Sequence, residues 1–276
     1  MNATLPSPLE IVRRVLAAPG APCVAGDAID VGAHTGSFAG ELLRSGLFAR
    51  VIAFEPNPVN ADALAAIASL DSRLDVVRAA VGESAGDGEL HCDANTATGS
   101  LLVYRDDYST DGPIRQLAVT VVSLDGFRAG TRADAAPVRL LKVDTQGHDL
   151  AVIRGAGRLL ASDRPVVIVE MIYVPMYAGQ AEPEDILAAM RASGYQLYTL
   201  FNIHATIEGR LAYADALFVP REYEVPKTQQ YIQMDNHASY LSQIATLERI
   251  CRERLEVINV LDAELKRLSP AKRTDA

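Results

Sequence analysis

Apolar residues recur along this chain with two alternating periods. Short, near-continuous apolar runs stand at 28–31, 51–54, 138–143 and 166–169. Between them lie longer stretches with apolar positions three and four apart, at 37–45, 59–70, 150–160 and 182–193. Runs of the first kind suit strands buried on both faces; stretches of the second kind suit amphipathic helices. Their alternation predicts an α/β fold built on a doubly wound, mostly parallel sheet. Residues 9–18 read as an N-terminal helix stopped by Pro19 and Gly20, 75–81 as a third strand and 88–92 as an edge strand. A polar stretch at 95–113 reads as a long loop, of the kind that often carries function. Residues 117–123 read as another strand, with a short helix starting at Leu124. The last two strands, 195–201 and 216–219, have no helix between them and are expected to pair antiparallel.

Past Pro226 the period changes. His237, Tyr240, Ile244, Leu247, Cys251, Arg254, Ile258, Leu261, Leu265 and Leu268 follow one another at steps of three and four, a heptad seam that His237 and Arg254 interrupt. We therefore expect two parts: a catalytic-type domain at 1–225 and a C-terminal, coiled-coil-like helical segment at 226–276. Such a helix needs cover for its apolar stripe, so a homo-oligomer or a partner enzyme docked on it is expected.

Composition narrows the classes. Lys and Arg number 26 against 35 Asp and Glu, a formal charge of −9, which argues against nonspecific binding to nucleic acid. The three cysteines, Cys23, Cys92 and Cys251, are scattered without metal-site spacing and suggest reduced thiols. No membrane span and no secretory leader are legible, so the expected compartment is the cytoplasm.

The candidate chemistry sits at the ends of the apolar runs. Asp30-Val31-Gly32-Ala33-His34-Thr35-Gly36 reads as strand, glycine turn and helix start, and the following strand closes on Glu55-Pro56. This turn lacks the Gly-x-Gly of a dinucleotide fingerprint. A Gly-x-x-x-Gly turn beside an acid fits S-adenosylmethionine better, because that ligand has an amino-acid end and a ribose but no pyrophosphate. In an open sheet, ligands bind beyond the carboxyl ends of the strands. Asp144 and Glu170 follow two further strands, so Asp30, Glu55, Asp144 and Glu170 are expected along one edge of one sheet.

Asp30 to Gly36, Phe54 to Pro58, Ala79 to Gly82, Leu124-Asp125 and Leu141-Lys142-Val143-Asp144 with Gly147 together resemble the FkbM-type methyltransferases. The resemblance covers roughly residues 28–219. It implies a class I methyltransferase fold, Rossmann-like, whose last strand runs antiparallel. It also implies S-adenosylmethionine-dependent O-methylation of a hydroxyl, on a sugar, polysaccharide or natural-product acceptor. On this reading Asp30, Gly32 and Gly36 line the methionine end of the cofactor, with His34 in the same cofactor-binding turn. Glu55 holds the ribose, with Pro56 beside it in the cofactor site, Ala80 and Val81 flank the adenine, and Asp144 lies near the reacting centre. The family pattern usually carries Glu at the positions of Gln146 and Asp149, which leaves the local acceptor chemistry open. His148 is the best placed general base. A magnesium ion held by Asp144 and Glu170 is the other way to activate the hydroxyl. Two other readings remain: an NAD(P)-dependent oxidoreductase on a related sheet, and a non-catalytic scaffold.

Overall fold

The computed structural model describes residues 6–22, 25–108, 110, 112–131 and 136–224. The predicted helix at 226–276, with its role in assembly, lies outside the described residues, as do Cys23 and Cys251. The described chain opens with α1 (Pro8–Leu16), then β1 (Asp27–Val31), α2 (Ser37–Ser45), β2 (Val51–Phe54), α3 (Pro58–Ala68) and β3 (Leu74–Val77). Next come β4 (Ala80–Val81), β5 (Gly86–Cys92), β6 (Arg115–Val122) and α4 (Leu124–Thr131). The remainder is β7 (Val138–Val143), α5 (Asp149–Arg154), α6 (Gly157–Ser162), β8 (Val166–Ile172), α7 (Pro183–Ala192), β9 (Tyr195–Ala205) and β10 (Leu211–Pro220).

Seven strands form the main sheet in the order β3-β2-β1-β7-β8-β10-β9. The first five are parallel, and β10 enters antiparallel between β8 and β9. The fold is thus the expected class I methyltransferase architecture. Strand period sorts the core into two layers. Ile29, Val31, Leu141 and Val143 pack on one face with Val152, Leu159, Leu160 and Met190. Ala28, Leu140, Ile168 and Leu217 pack on the other with Val12, Val15, Leu42 and Leu64. Asp30 and Lys142 are in register and share the parity of Ala28 and Leu140, so they stand on the face toward α1 and α2.

Three predicted elements come out differently. The expected strand at 75–81 is two strands in two sheets: β3 ends the main sheet, while β4 pairs with β6 in a separate three-stranded sheet, β4-β6-β5. The break falls at Arg78-Ala79, where the chain leaves one sheet for the other. The expected helix at 150–160 is two helices, because the chain between them is held from outside. The Gly155 carbonyl accepts from the Asp125 N–H at 2.9 Å, and the Asp125 carboxylate caps α6 through the N–H groups of Arg158 and Leu159, at 2.8 and 2.9 Å. Third, β8 runs on to Ile172, so Glu170 lies inside the strand rather than at its end.

Gly155 gives a direct check on the helix break. A Cβ there would stand 2.1 Å from the Gly82 carbonyl oxygen, a backbone atom that cannot swing aside. Gly155→Ala is expected to destabilise the fold by about 1–3 kcal/mol through overpacking, read as a lower urea midpoint at unchanged slope.

Candidate active site

Two turns meet at the carboxyl edge of the main sheet. The first follows β1. Gly32, at φ 76°, and Ala33 both donate their N–H groups to the Phe54 carbonyl, at 3.0 and 3.1 Å. His34 adopts φ 49°, a left-handed conformation that a side chain rarely takes, and so aims its N–H at Glu55 Oε2, 2.8 Å away. Asn57 N–H donates to the other oxygen at 2.9 Å, and Asn60 Nδ2 approaches it at 3.5 Å. Burial pushes the Glu55 carboxyl up, and the amides of Asn57 and His34 oppose that shift. Glu55 is thereby fixed and desolvated, with acceptor capacity left for a ligand.

The second turn follows β7. Asp144 Oδ2 stands 3.1 Å from Lys142 Nζ, and its Oδ1 accepts from Gln146 Nε2 at 2.9 Å. The same amide nitrogen donates to Glu170 Oε2 at 2.7 Å. Gln146 Oε1 lies 3.1 Å from the Tyr177 hydroxyl. One amide therefore bridges two carboxylates. Burial raises both acids, but the charge of Lys142 and the donors on Asp144 hold that carboxyl below its ordinary value. Glu170 is pushed well up by burial and by Asp144, Asp149 and Asp215. The pair divides: Asp144 stays ionised and Glu170 keeps its proton to higher pH. Asp149, which accepts from the N–H groups of Thr145 and Gly147, is pushed up to about 6 by burial.

A cavity of about 210 Å³, open at its mouth, runs along these turns. Gly32, His34, Glu55, Pro56, Ala80, Val81, Asp144 and His148 all line it. Phe54 and Leu101 add apolar wall. Gly36 caps α2 behind the turn, where a Cβ would meet Leu64 and Ile67 at 2.8 Å. Asp30 does not line this cavity; it belongs to a second cleft with Lys142, Phe38, Glu41, Phe201, Asn202 and Asp215. The two spaces share Gly32, His34 and Asp144. Glu170 lines neither and reaches the site through Gln146.

His148 is the residue before α5, and burial holds its imidazole below its ordinary value, hence neutral near pH 7. Its Nε2 points beside Gly82, and it also lines a shallow groove with 83–89. His204 stacks on Tyr213 at 4.3 Å and lines neither space. Among the described residues, no group of three or more His, Cys, Asp or Glu is arranged to hold a metal ion.

Sequence reasoning missed Lys142 and Tyr177, as well as the loop residues Thr96, Gly99 and Leu101 that wall the cavity. Lys142 did leave a signal, a charge inside an otherwise apolar strand. The loop left none beyond its polarity. Its placement depends on distant partners: His34 Nε2 meets Thr96 Oγ1 at 3.0 Å, and Ser100 Oγ donates to the Gln146 carbonyl at 2.7 Å.

The acids at this edge set a pH dependence. Asp149 titrates near 6 in the folded chain against about 3.9 unfolded. Between those values the folded state holds a proton that the unfolded state has lost. This contribution to stability is complete below about pH 4 and is lost as pH rises through 6, at about 1.4 kcal/mol per pH unit. Asp149→Asn keeps one acceptor and removes the charge. Urea unfolding at pH 4.5 and 6.5 is expected to show a smaller loss for the variant than for wild type.

The chain matches the Methyltransferase FkbM domain model over residues 30–197, more than half its length. It is similar to a crystal structure described as Methyltransferase FkbM from Methylobacillus flagellatus, at 16% identity and a TM-score of 0.43, over 70% of this chain and 43% of that one. It is also similar to precorrin-6y C5,15-methyltransferase from Geobacter metallireducens, at 12% identity and a TM-score of 0.40, over 79% of this chain and 91% of that one. This chain thus spans less than half of the first of these structures. No curated protein matches it. No described helix is long and apolar enough to cross a membrane.

Proposed function

The chain belongs to the FkbM methyltransferase family, and from that premise we propose that it is an S-adenosylmethionine-dependent O-methyltransferase. Membership in the family implies S-adenosylmethionine as methyl donor; its sulfonium supplies an activated methyl group. The residues present fit it. Glu55, held by two backbone amides at the end of β2, has acceptor capacity left for a ribose diol. Ala80 and Val81 give the uncharged wall that an adenine needs. Asp30 is a buried carboxylate whose oxygens lack a partner at full hydrogen-bond geometry, suited to the ammonium of an amino acid. The single observation that carries the reading is the desolvated, pre-oriented Glu55 in a cavity continuous with Asp144.

An acceptor hydroxyl must lose its proton as it attacks the methyl carbon, and alignment of the two is a large part of the rate. Asp144 is ionised and lies where the two spaces meet, so we assign it the hydroxyl: it orients the O–H and takes its proton. His148, neutral and on the cavity wall, is the second proton acceptor. The second cleft supports a polyhydroxylated acceptor such as a sugar. Glu41 and Asn202 are exposed there, Asp215 is half-buried, and the rings of Phe38 and Phe201 offer flat apolar faces. Magnesium suits this site less well. Lys142 already neutralises Asp144, and the Gln146 amide takes up the facing oxygens of Asp144 and Glu170. We therefore take transfer to be metal-independent.

Calorimetric titration with S-adenosylhomocysteine tests the cofactor. Binding in the micromolar range or tighter, roughly −8 kcal/mol, is expected, and Glu55→Ala should weaken it by about 1–3 kcal/mol. Binding of NADH without S-adenosylhomocysteine would sink the reading. With a sugar acceptor in hand, Asp144→Ala should abolish turnover while cofactor affinity stays within about tenfold. Activity that EDTA removes and magnesium restores would overturn metal independence.

A further inference from the structure

Lys142 is a charge in the middle of the main sheet. Its side chain is 11% exposed, and its Nζ stands 3.1 Å from Asp144 Oδ2 and 3.6 Å from Asp30 Oδ1. The Phe38 ring lies on another side, its centroid 5.6 Å away. Strand register makes this arrangement. Asp30 on β1 is the direct partner of Lys142 on β7, and both stand on the face toward α1 and α2. An ammonium has three donors. Two carboxylates engage it, and the remaining side of the side chain lies on the second cleft. Asp30, for its part, is wholly buried, and neither oxygen has a partner at full hydrogen-bond geometry; Lys142 and the Ala39 N–H are its nearest donors. A buried carboxylate so weakly served is costly, and an ion pair at 3.6 Å offsets only part of that cost.

The row reads minus, plus, minus. It has an unused donor at its centre and unused acceptors on one flank. That pattern complements a group bearing a carboxylate and an ammonium on one carbon, the zwitterion of an α-amino acid. The second cleft meets the Glu55 cavity at Gly32, His34 and Asp144. At Gly32 no side chain stands between them. One ligand can therefore lie across both spaces, with its nucleoside end by Glu55.

We infer that Lys142 is a cofactor-binding residue: its ammonium receives the carboxylate of the amino-acid end of S-adenosylmethionine in the second cleft, backed by Asp30 and Asp144. This rests on the reading that the chain uses that cofactor. The part of the second cleft toward Glu41 and Asn202 is left to the acceptor.

Two ligands separate this role from a structural one. S-adenosylhomocysteine has the amino-acid end; 5′-methylthioadenosine keeps the nucleoside and the sulfur but lacks it. By calorimetry, wild type is expected to bind the first at least about 30-fold more tightly than the second. Lys142→Met should weaken S-adenosylhomocysteine by at least about tenfold and leave 5′-methylthioadenosine within about threefold. Lys142→Arg, which keeps the charge, should recover part of the loss. If Lys142→Met weakens both ligands equally, or neither, Lys142 serves the fold alone and the inference falls. Should that variant fail to fold, wild type answers with 5′-deoxy-5′-(3-aminopropylthio)adenosine, which is S-adenosylhomocysteine without its carboxylate. A loss of tenfold or more supports a carboxylate receptor, and equal affinity overturns it. A wild-type protein that binds none of these nucleosides removes the cofactor reading itself, a different result from the loss of Lys142's role.

Discussion

The Gly32 α-carbon rests against the Asp144 carbonyl, and the ligand edge of the sheet depends on that contact. A Cβ at Gly32 would stand 1.8 Å from the oxygen, and φ is 76° there, so sterics and backbone conformation both require glycine. The Asp144 N–H closes the contact from the other side with a 3.0 Å bond to the Val31 carbonyl. Two neighbouring parallel strands thus end in turns that touch through backbone alone. From the first turn His34 can reach Glu55; from the second, Asp144 stands between the two spaces. A side chain at Gly32 would part the turns and also fill the place where the spaces join.

Such an edge gathers carboxylates, and the structure treats each of them differently. Glu55 and Asp149 are held by backbone N–H groups, which stabilise an anion without adding a cation. Asp144 is held by Lys142, and Glu170 by keeping its proton and accepting from Gln146. Only Asp144 among these combines a depressed pKa with a place on both spaces. The edge leans negative around one lysine, a field that favours a cationic methyl donor over a phosphate-bearing ligand.

The order and type of the main elements were legible because both periods are strong in this chain. Residues 37–45 and 51–54 coincide with α2 and β2, since each is bounded by its own local signals: glycines around the helix, Pro56 after the strand. What was not legible has a common cause. The divided strand at Ala79, the divided helix at Gly155 and the continuation of β8 past Glu170 are each decided by a partner distant in sequence. The candidate acids were found for a related reason. Asp30, Glu55, Asp144 and Glu170 follow or interrupt apolar runs, where local pattern is informative. Lys142 interrupts such a run too, but a positive charge in a strand reads as an irregularity until its register with Asp30 is known.

Gln146 ties the loop at 95–104 to the acids of the sheet edge. Its backbone, at φ 54°, is fixed by the Ser100 hydroxyl on its carbonyl, and its side-chain oxygen faces the Tyr177 hydroxyl. Tyr177 in turn pairs with Tyr104, and both hydroxyls reach the Thr98 carbonyl, at 3.0 and 2.6 Å. The loop therefore holds the amide in one orientation, with its nitrogen toward Asp144 and Glu170. A glutamate here would have no donor to offer either acid. It would add a third carboxyl between two whose different charge states rest on Lys142 and on the donors to Asp144. Like charges so close disfavour the ionised forms, and the added carboxyl would need a cation or further protons to be tolerated. An amide with two N–H donors satisfies both neighbours at once and leaves Lys142 as the cation facing Asp144. Gln146 is thus one of the donors that keep Asp144 ionised, with the lysine as its counter-charge.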